Sequence, residues 1–202
     1  MLSLEDGTKA VQFARHVIQN YVQQKTHISA DLGSLFHEKQ GVFVTLHTHP
    51  AHELRGCIGI PLPVLSLQDA IRESAQSVTR DPRFPPLQET ELDIIIVELT
   101  VLTKPERIQV QHPKEYPAHI DIGRDGLIVE QGYFKGLLLP QVPVEQAWDK
   151  EEYLSHTCMK AGLPPDAWFD KSTKISKFQG QIFTETTPGG PIQETHLHGS
   201  VN

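Results

Sequence analysis

The chain has 202 residues, a net charge of −7, 38% hydrophobic residues and two cysteines. That length suits one domain with room for a small subdomain, and it buries a core without disulfide staples. The acidic balance argues against non-specific nucleic-acid binding, which needs clustered Lys and Arg to displace counterions, and no apolar run reaches the roughly 20 residues of a membrane helix.

The N-terminus, MLSLEDGTKA, lacks a basic stretch followed by an apolar one, so no secretory leader is expected. Cys57 and Cys158 read as reduced thiols in a cytoplasmic protein. Ser3 with Asp6 three residues on has the spacing of a helix start, and Val11, Ala14, Ile18 and Tyr21 recur at helical spacing, predicting a helix over 4–24. Residues 26–40 are polar and irregular. Gly41–Thr48 and Leu54–Ile60 alternate as strands around the turn His49-Pro50-Ala51-His52, predicting a hairpin over 41–60 that Pro61 and Pro63 end.

A second helix starts at Ser66, with Ile71, Ala75 and Val78 on its apolar side. The three prolines of Asp81-Pro-Arg-Phe-Pro-Pro86 forbid a helix and predict a stiff loop. Asp93–Thr103 is a β-branched run apolar on both faces in its first half, the mark of a central strand. A polar connection over 104–118, a short strand at His119–Ile122 and a turn at Gly123–Gly126 follow. A hairpin is expected around Gly132, then a helix over 144–161 that stops at Gly162, a helical turn at Asp166–Phe169 and one strand over 174–185. Residues 186–202 read as a disordered tail beyond a single 1–185 domain. Irregular alternation with dominant hairpins gives an α+β fold with a mainly antiparallel sheet and packed helices.

The most unusual segment is Leu54-Arg55-Gly56-Cys57-Ile58-Gly59. Period-two alternation puts Leu54, Ile58 and Ile60 toward the core and Arg55, Cys57 and Gly59 on the other face. Arg55 is thereby placed beside Cys57, where a guanidinium favours a thiolate, and the glycines Gly56 and Gly59 mark close approach by a ligand or backbone. This gives either an activated thiol or anion-binding spot, or a small cysteine at a tight strand crossing. The stiff loop presents Asp81, Arg83 and Phe84 as binding candidates, or as an ion pair with an aromatic plug. Arg124 lies in a sequence with no phosphate-loop spacing and reads first as part of a turn. His47, His49 and His52, with Glu53 beside them, are weak metal candidates because they straddle a proline turn; His196 and His198 are weaker, and no metal or cofactor is expected. The chain has no Gly-x-Ser-x-Gly, no Cys-x-x-Cys and no dinucleotide fingerprint.

The phrases Leu54–Gly59 (LRGCIG), Asp81–Leu87 (DPRFPPL), Ile122–Val129 (IGRDGLIV), Gly136–Val142 (GLLLPQV) and Glu145-x-x-Trp148 occur in order and at consistent spacing. In this the chain resembles the AMMECR-type family, named for the AMME chromosomal region, over nearly its whole length. The resemblance implies a larger and a smaller subdomain with a cleft between them. It also implies an association with Memo-like and radical-SAM proteins, with the Arg-Gly-Cys motif as the suspected site. It implies no agreed reaction, and His47–His52 departs from the plainer polar turn expected there. The favoured expectation is a binding or substrate-delivery subunit that takes a partner loop, peptide or small molecule around the Arg-Gly-Cys motif. The alternatives are a cysteine-dependent enzyme with Cys57 as nucleophile or redox thiol, and a nucleic-acid-associated regulator, which the acidic charge disfavours.

Overall fold

A computed structural model describes residues 1–24 and 31–195. In chain order the elements are α1 (Leu4–Val22), β1 (Val42–Thr48), β2 (Leu54–Ile60), α2 (Leu67–Val78), β3 (Ile95–Leu102), β4 (Glu106–Arg107), β5 (Gly126–Gln131), β6 (Phe134–Leu138), α3 (Gln141–Glu145), α4 (Lys150–Lys160), β7 (Lys174–Phe178), β8 (Gly180–Glu185) and β9 (Ile192–Thr195). The fold is α+β, with two sheets ordered β2-β1-β3-β8-β9 and β4-β7-β5-β6. The chain divides into two compact units, Met1–Leu102 with the return segment from Gln181, and Thr103–Gly180.

In the first unit the helix starts are local chemistry. The Ser3 side chain accepts from the Asp6 N–H at 3.1 Å, and the Ser66 side chain accepts from the Asp69 N–H at 3.2 Å, as the spacings predict. The apolar stripes of both helices enter one core. Ala10, Ala14 and Ile18 of α1 and Ile71, Ala75 and Val78 of α2 pack with Val42, Val44 and Leu46 of β1 and Val97 and Leu99 of β3. Each fully buried Val, Leu or Ile there contributes roughly 1.5–3 kcal/mol by leaving water. β3 lies in the middle of its five-stranded sheet, as its doubly apolar run predicts. Arg15 of α1 is buried in an ion pair with Glu185 of β8, and its Nη2 also donates to the Ile95 carbonyl at 2.7 Å.

In the second unit Leu127, Val129 and Ile175 of the sheet pack with Tyr153, Leu154 and Cys158 of α4. The hairpin around Gly132 is present, with that glycine at φ 60°, and Gly162 at φ 78° ends α4. The Tyr153 hydroxyl donates to the Leu138 carbonyl at 3.1 Å, and burial pushes its phenol above the ordinary range.

Four expectations are corrected. The helix read over 144–161 is two helices, α3 and α4: Ala147 has φ 52°, and Asp149 starts a new helix by accepting from the Glu151 and Glu152 N–H groups. The strand read at His119–Ile122 is absent: His119 ends a 3-10 turn, Pro113–His119, and residues 120–122 pass from there into the next turn. The strand read over 174–185 breaks at Gln179 into β7 and β8, which belong to different sheets. The expected tail does not leave the fold at 186, because Ile192–Thr195 pairs with β8 as β9. Residues 196–202, with His196 and His198, lie outside the described residues. Among the described residues no helix is long and apolar enough to cross a membrane.

Candidate functional site

The site in the first unit is built where β2 meets the loop after α2. Gly56 makes the approach possible: a Cβ there would stand 3.1 Å from Val78 Cγ2 and 3.6 Å from Asp81 Cβ. With no side chain in the way, the end of α2 lies directly against β2 and delivers Asp81 to Cys57. Asp81 is 2% exposed, and its Oδ2 accepts from the Cys57 N–H at 2.9 Å. Arg83 closes back on the same carboxylate, donating from Nε to Oδ1 at 3.1 Å and from Nη2 to Oδ2 at 2.7 Å. Nη2 also donates to the Cys57 carbonyl at 3.2 Å. One side-chain pair therefore holds both main-chain groups of Cys57.

That arrangement fixes the strand geometry. Cys57 stands opposite Thr45 in the antiparallel ladder. Because its N–H and C=O turn outward to Asp81 and Arg83, the two residues form a non-hydrogen-bonded pair, the kind with Cα atoms ~4.5 Å apart and side chains close together. The Thr45 hydroxyl accordingly donates to Cys57 Sγ at 3.3 Å. Thr45 in turn stands opposite Glu98 of β3, so Cys57, Thr45 and Glu98 form a row across three strands.

Arg55 falls at a break in the ladder. The register shifts between Leu46 and His47, which pair with Gly56 and Leu54, and Arg55 is the unpaired residue of a bulge. Its guanidinium forms a two-pronged pair with Glu91, Nε to Oε1 at 2.7 Å and Nη2 to Oε2 at 3.1 Å, and also donates to the Pro85 carbonyl at 2.9 Å. The same bulge leaves Leu54 exposed rather than in the core. Phe84 ties the two arginines together, with its ring centroid 5.8 Å from the Arg55 guanidinium and 5.6 Å from that of Arg83. Gly59 also permits close approach, since a Cβ there would stand 2.4 Å from both the Val42 carbonyl oxygen and the Phe43 ring.

The electrostatics follow the pairing. The hydrogen bonds from Arg83 hold the Asp81 carboxyl well below the usual carboxylate range, and the bond from Arg55 lowers Glu91. Arg83 is raised first by its bond to Asp81, and last by the charge available at Cys57. Arg83 is the arginine that bonds to the main chain of the cysteine.

The histidine cluster is partly assembled. His47 Nε2 stands 3.9 Å from Glu98 Oε1, and its ring lies 4.4 Å from that of His52. His49 extends the strand, donating its N–H to the Ile94 carbonyl at 2.7 Å. Among the described residues no three His, Cys, Asp or Glu side chains are grouped to hold a metal ion. Arg124 belongs to the second unit, where it pairs with Asp121 at 2.5 Å beside the buried Asp125. Burial pushes the Asp125 carboxyl up, but bonds from Gln179, the Asp121 N–H and Lys177 outweigh it, so the group sits low.

Thr45, Glu91 and Glu98 were missed in the sequence. Thr45 and Glu98 had a readable signal: each is a polar position that alternation puts on the face opposite the core. Glu91 had none.

A family model described as AMMECR1 matches residues 11–183. The chain belongs to the AMMECR1 family. It is similar to Protein MJ0810 of Methanocaldococcus jannaschii, 55% identical over 98% of both chains, and to Protein PYRAB00100 of Pyrococcus abyssi, 49% identical over 96% of this chain and 97% of the other. Among solved structures it is similar to the uncharacterized protein PH0010 from Pyrococcus horikoshii, with a TM-score of 0.78, 48% identity and coverage of 96% of this chain and 98% of that one. The LRGCIG and DPRFPPL phrases both lie within the matched residues. The contacts above give those phrases a physical reason, since each supplies half of the Cys57–Asp81–Arg83 assembly.

Proposed function

We propose that this chain is a binding or accessory subunit that takes a partner segment or small molecule at the surface around Arg55, Cys57, Arg83 and Phe84, and that it acts with Memo-like and radical-SAM proteins. The observation that carries this reading is that both arginines are already committed, Arg55 to Glu91 and Arg83 to Asp81. Phe84 stands between them as a rigid aromatic platform. Such a surface is preorganised for docking, with little side-chain entropy left to lose. The partners enter through the family resemblance.

The test mixes the purified chain with the Memo-like and radical-SAM proteins of the same genome and measures association by calorimetry. A complex with at least one of them, weakened about tenfold or more by Phe84→Ala as an aromatic anchor is, supports the proposal. Absence of any complex at about 100 µM, where a binding free energy near −5.5 kcal/mol is detectable, overturns it.

A second reading, Cys57 as nucleophile or redox thiol, draws on the Thr45 hydroxyl donating to Sγ and on the Arg83 guanidinium held against the Cys57 carbonyl. Cys57→Ser separates the two: a binding subunit keeps its complex and its cellular role, whereas a thiol enzyme loses the role with the complex intact.

A further inference from the structure

The second unit carries an open groove of about 440 Å³ between α4 and the 3-10 turn Ala167–Phe169. Its surface is mainly apolar. Met159 of α4, Pro165, and the stacked rings of Trp168 and Phe169, with centroids 3.7 Å apart, supply that surface. Met159 and Phe169 are 54% and 44% exposed, so two large apolar side chains stand in the groove facing water. Methionine and aromatic side chains brought together in this way are characteristic of contacts between proteins.

The charge around the groove has one sign. Asp149, Glu151, Glu152 and Asp166 border it, and no lysine or arginine does. None of the four carboxylates is in an ion pair among the described residues. Asp149 and Glu152 cap α4, but each bonds through one oxygen, Oδ1 and Oε2. Capping does not account for Asp166, which belongs to the other wall and precedes the 3-10 turn without bonding to it through its side chain. A guanidinium suits such a place, since it stacks on an aromatic face while its N–H groups reach carboxylates and its stem lies along apolar surface.

We infer that this groove docks a basic segment of a partner protein, with an arginine or lysine pairing with the acids and the apolar residues beside it covering Met159 and Phe169. The net charge of −7 draws such a segment toward the chain. The groove belongs wholly to the second unit, so its test is separate from that of the Cys57 surface.

The full chain is titrated with an acetylated and amidated Leu-Arg-Leu-Arg peptide, with Leu-Glu-Leu-Glu and Ala-Arg-Ala-Arg controls, and with benzylammonium. The Trp168 indole N–H, which donates to Ser155 Oγ at 3.2 Å, is the reporter resonance. The first peptide is expected to bind with a Kd of about 1 mM or tighter, and at least about fivefold more tightly than either control. Phe169→Ala and Met159→Ala should each weaken it about fivefold, as should Glu151→Gln combined with Asp166→Asn. Added salt should weaken it as well. All four positions are exposed, and a thermal melt verifies that the variants fold. No shift at about 10 mM peptide, a control peptide binding as tightly, or an affinity that none of the variants moves overturns the inference. Benzylammonium binding as tightly as the peptide assigns the groove to a small organic cation instead, and a dimer that Phe169→Ala dissolves assigns it to a second copy of the chain; both overturn it.

Discussion

Asp81 and Arg83, two residues apart, form an ion pair whose carboxylate is buried while its guanidinium is half exposed. The burial is one-sided because Asp81 faces the Cys57 N–H and Arg83 reaches around it to the Cys57 carbonyl. Asp81→Ala leaves that N–H without its acceptor and is expected to cost about 2 kcal/mol, with Asp81→Asn costing less because its carbonyl still accepts. Urea unfolding with an unchanged m-value measures this. A cost below about 0.5 kcal/mol would show that water replaces the carboxylate freely.

Acid stability follows from the same group. The folded-state carboxyls of Asp81 and Glu91 are lowered, chiefly by Arg83 and Arg55 respectively. A lowered group contributes stability that is complete above its unfolded value, about 4 for both types. That contribution is lost as pH falls through the lower folded value. The Tm is therefore expected to be level between about pH 5 and 7 and to fall below about pH 4, with a shallower fall in Asp81→Asn. Equal acid slopes in the two proteins would refute the assignment.

The cysteines are expected to separate by access. Cys158 is fully buried, and burial pushes its thiol up to about 11, whereas Cys57 is half-buried. Iodoacetamide at mild alkaline pH should label Cys57 alone in the folded protein and both residues in denaturant. Peptide mass mapping reads the result, and native labelling of Cys158 would contradict the packing of α4.

Gly59→Ala is expected to be more damaging than Gly56→Ala. At Gly59 the new methyl would stand 2.4 Å from a main-chain oxygen, whereas at Gly56 the nearest atoms are 3.1 Å away. Overpacking of the first kind costs about 1–3 kcal/mol, and the second should fall near the lower end. Gly56→Ala should also loosen Asp81 from Cys57, seen as faster exchange of the Cys57 amide hydrogen. The reverse order of stabilities would count against this register.

What was legible in the sequence was what neighbours in the chain decide. Ser3 and Ser66 cap their helices, Val42, Val44 and Leu46 alternate into the core, and the doubly apolar start of β3 marks the middle of a sheet. Leu54 misled because alternation presumes an unbroken ladder, and the bulge between Leu46 and His47 leaves no mark in the residue types. Gln179 misled because a strand that changes sheets keeps its β-rich composition through the break. The partnership of Arg55 with Glu91 spans 36 positions and rests on chain folding alone. The motif was visible as a motif, but which arginine serves the cysteine was not.

β2 is the outermost strand of its sheet. A bare outer strand offers its open N–H and C=O groups as a template on which another chain can add itself, the first step toward aggregation. At Cys57 that slot is filled by a carboxylate that accepts as a neighbouring strand's carbonyl would, and a guanidinium that donates as its amide would. The DPRFPPL loop is thus a gatekeeper as well as a scaffold. Loss of its acid or its base exposes a sticky margin, and the harm then appears in the soluble yield of the protein.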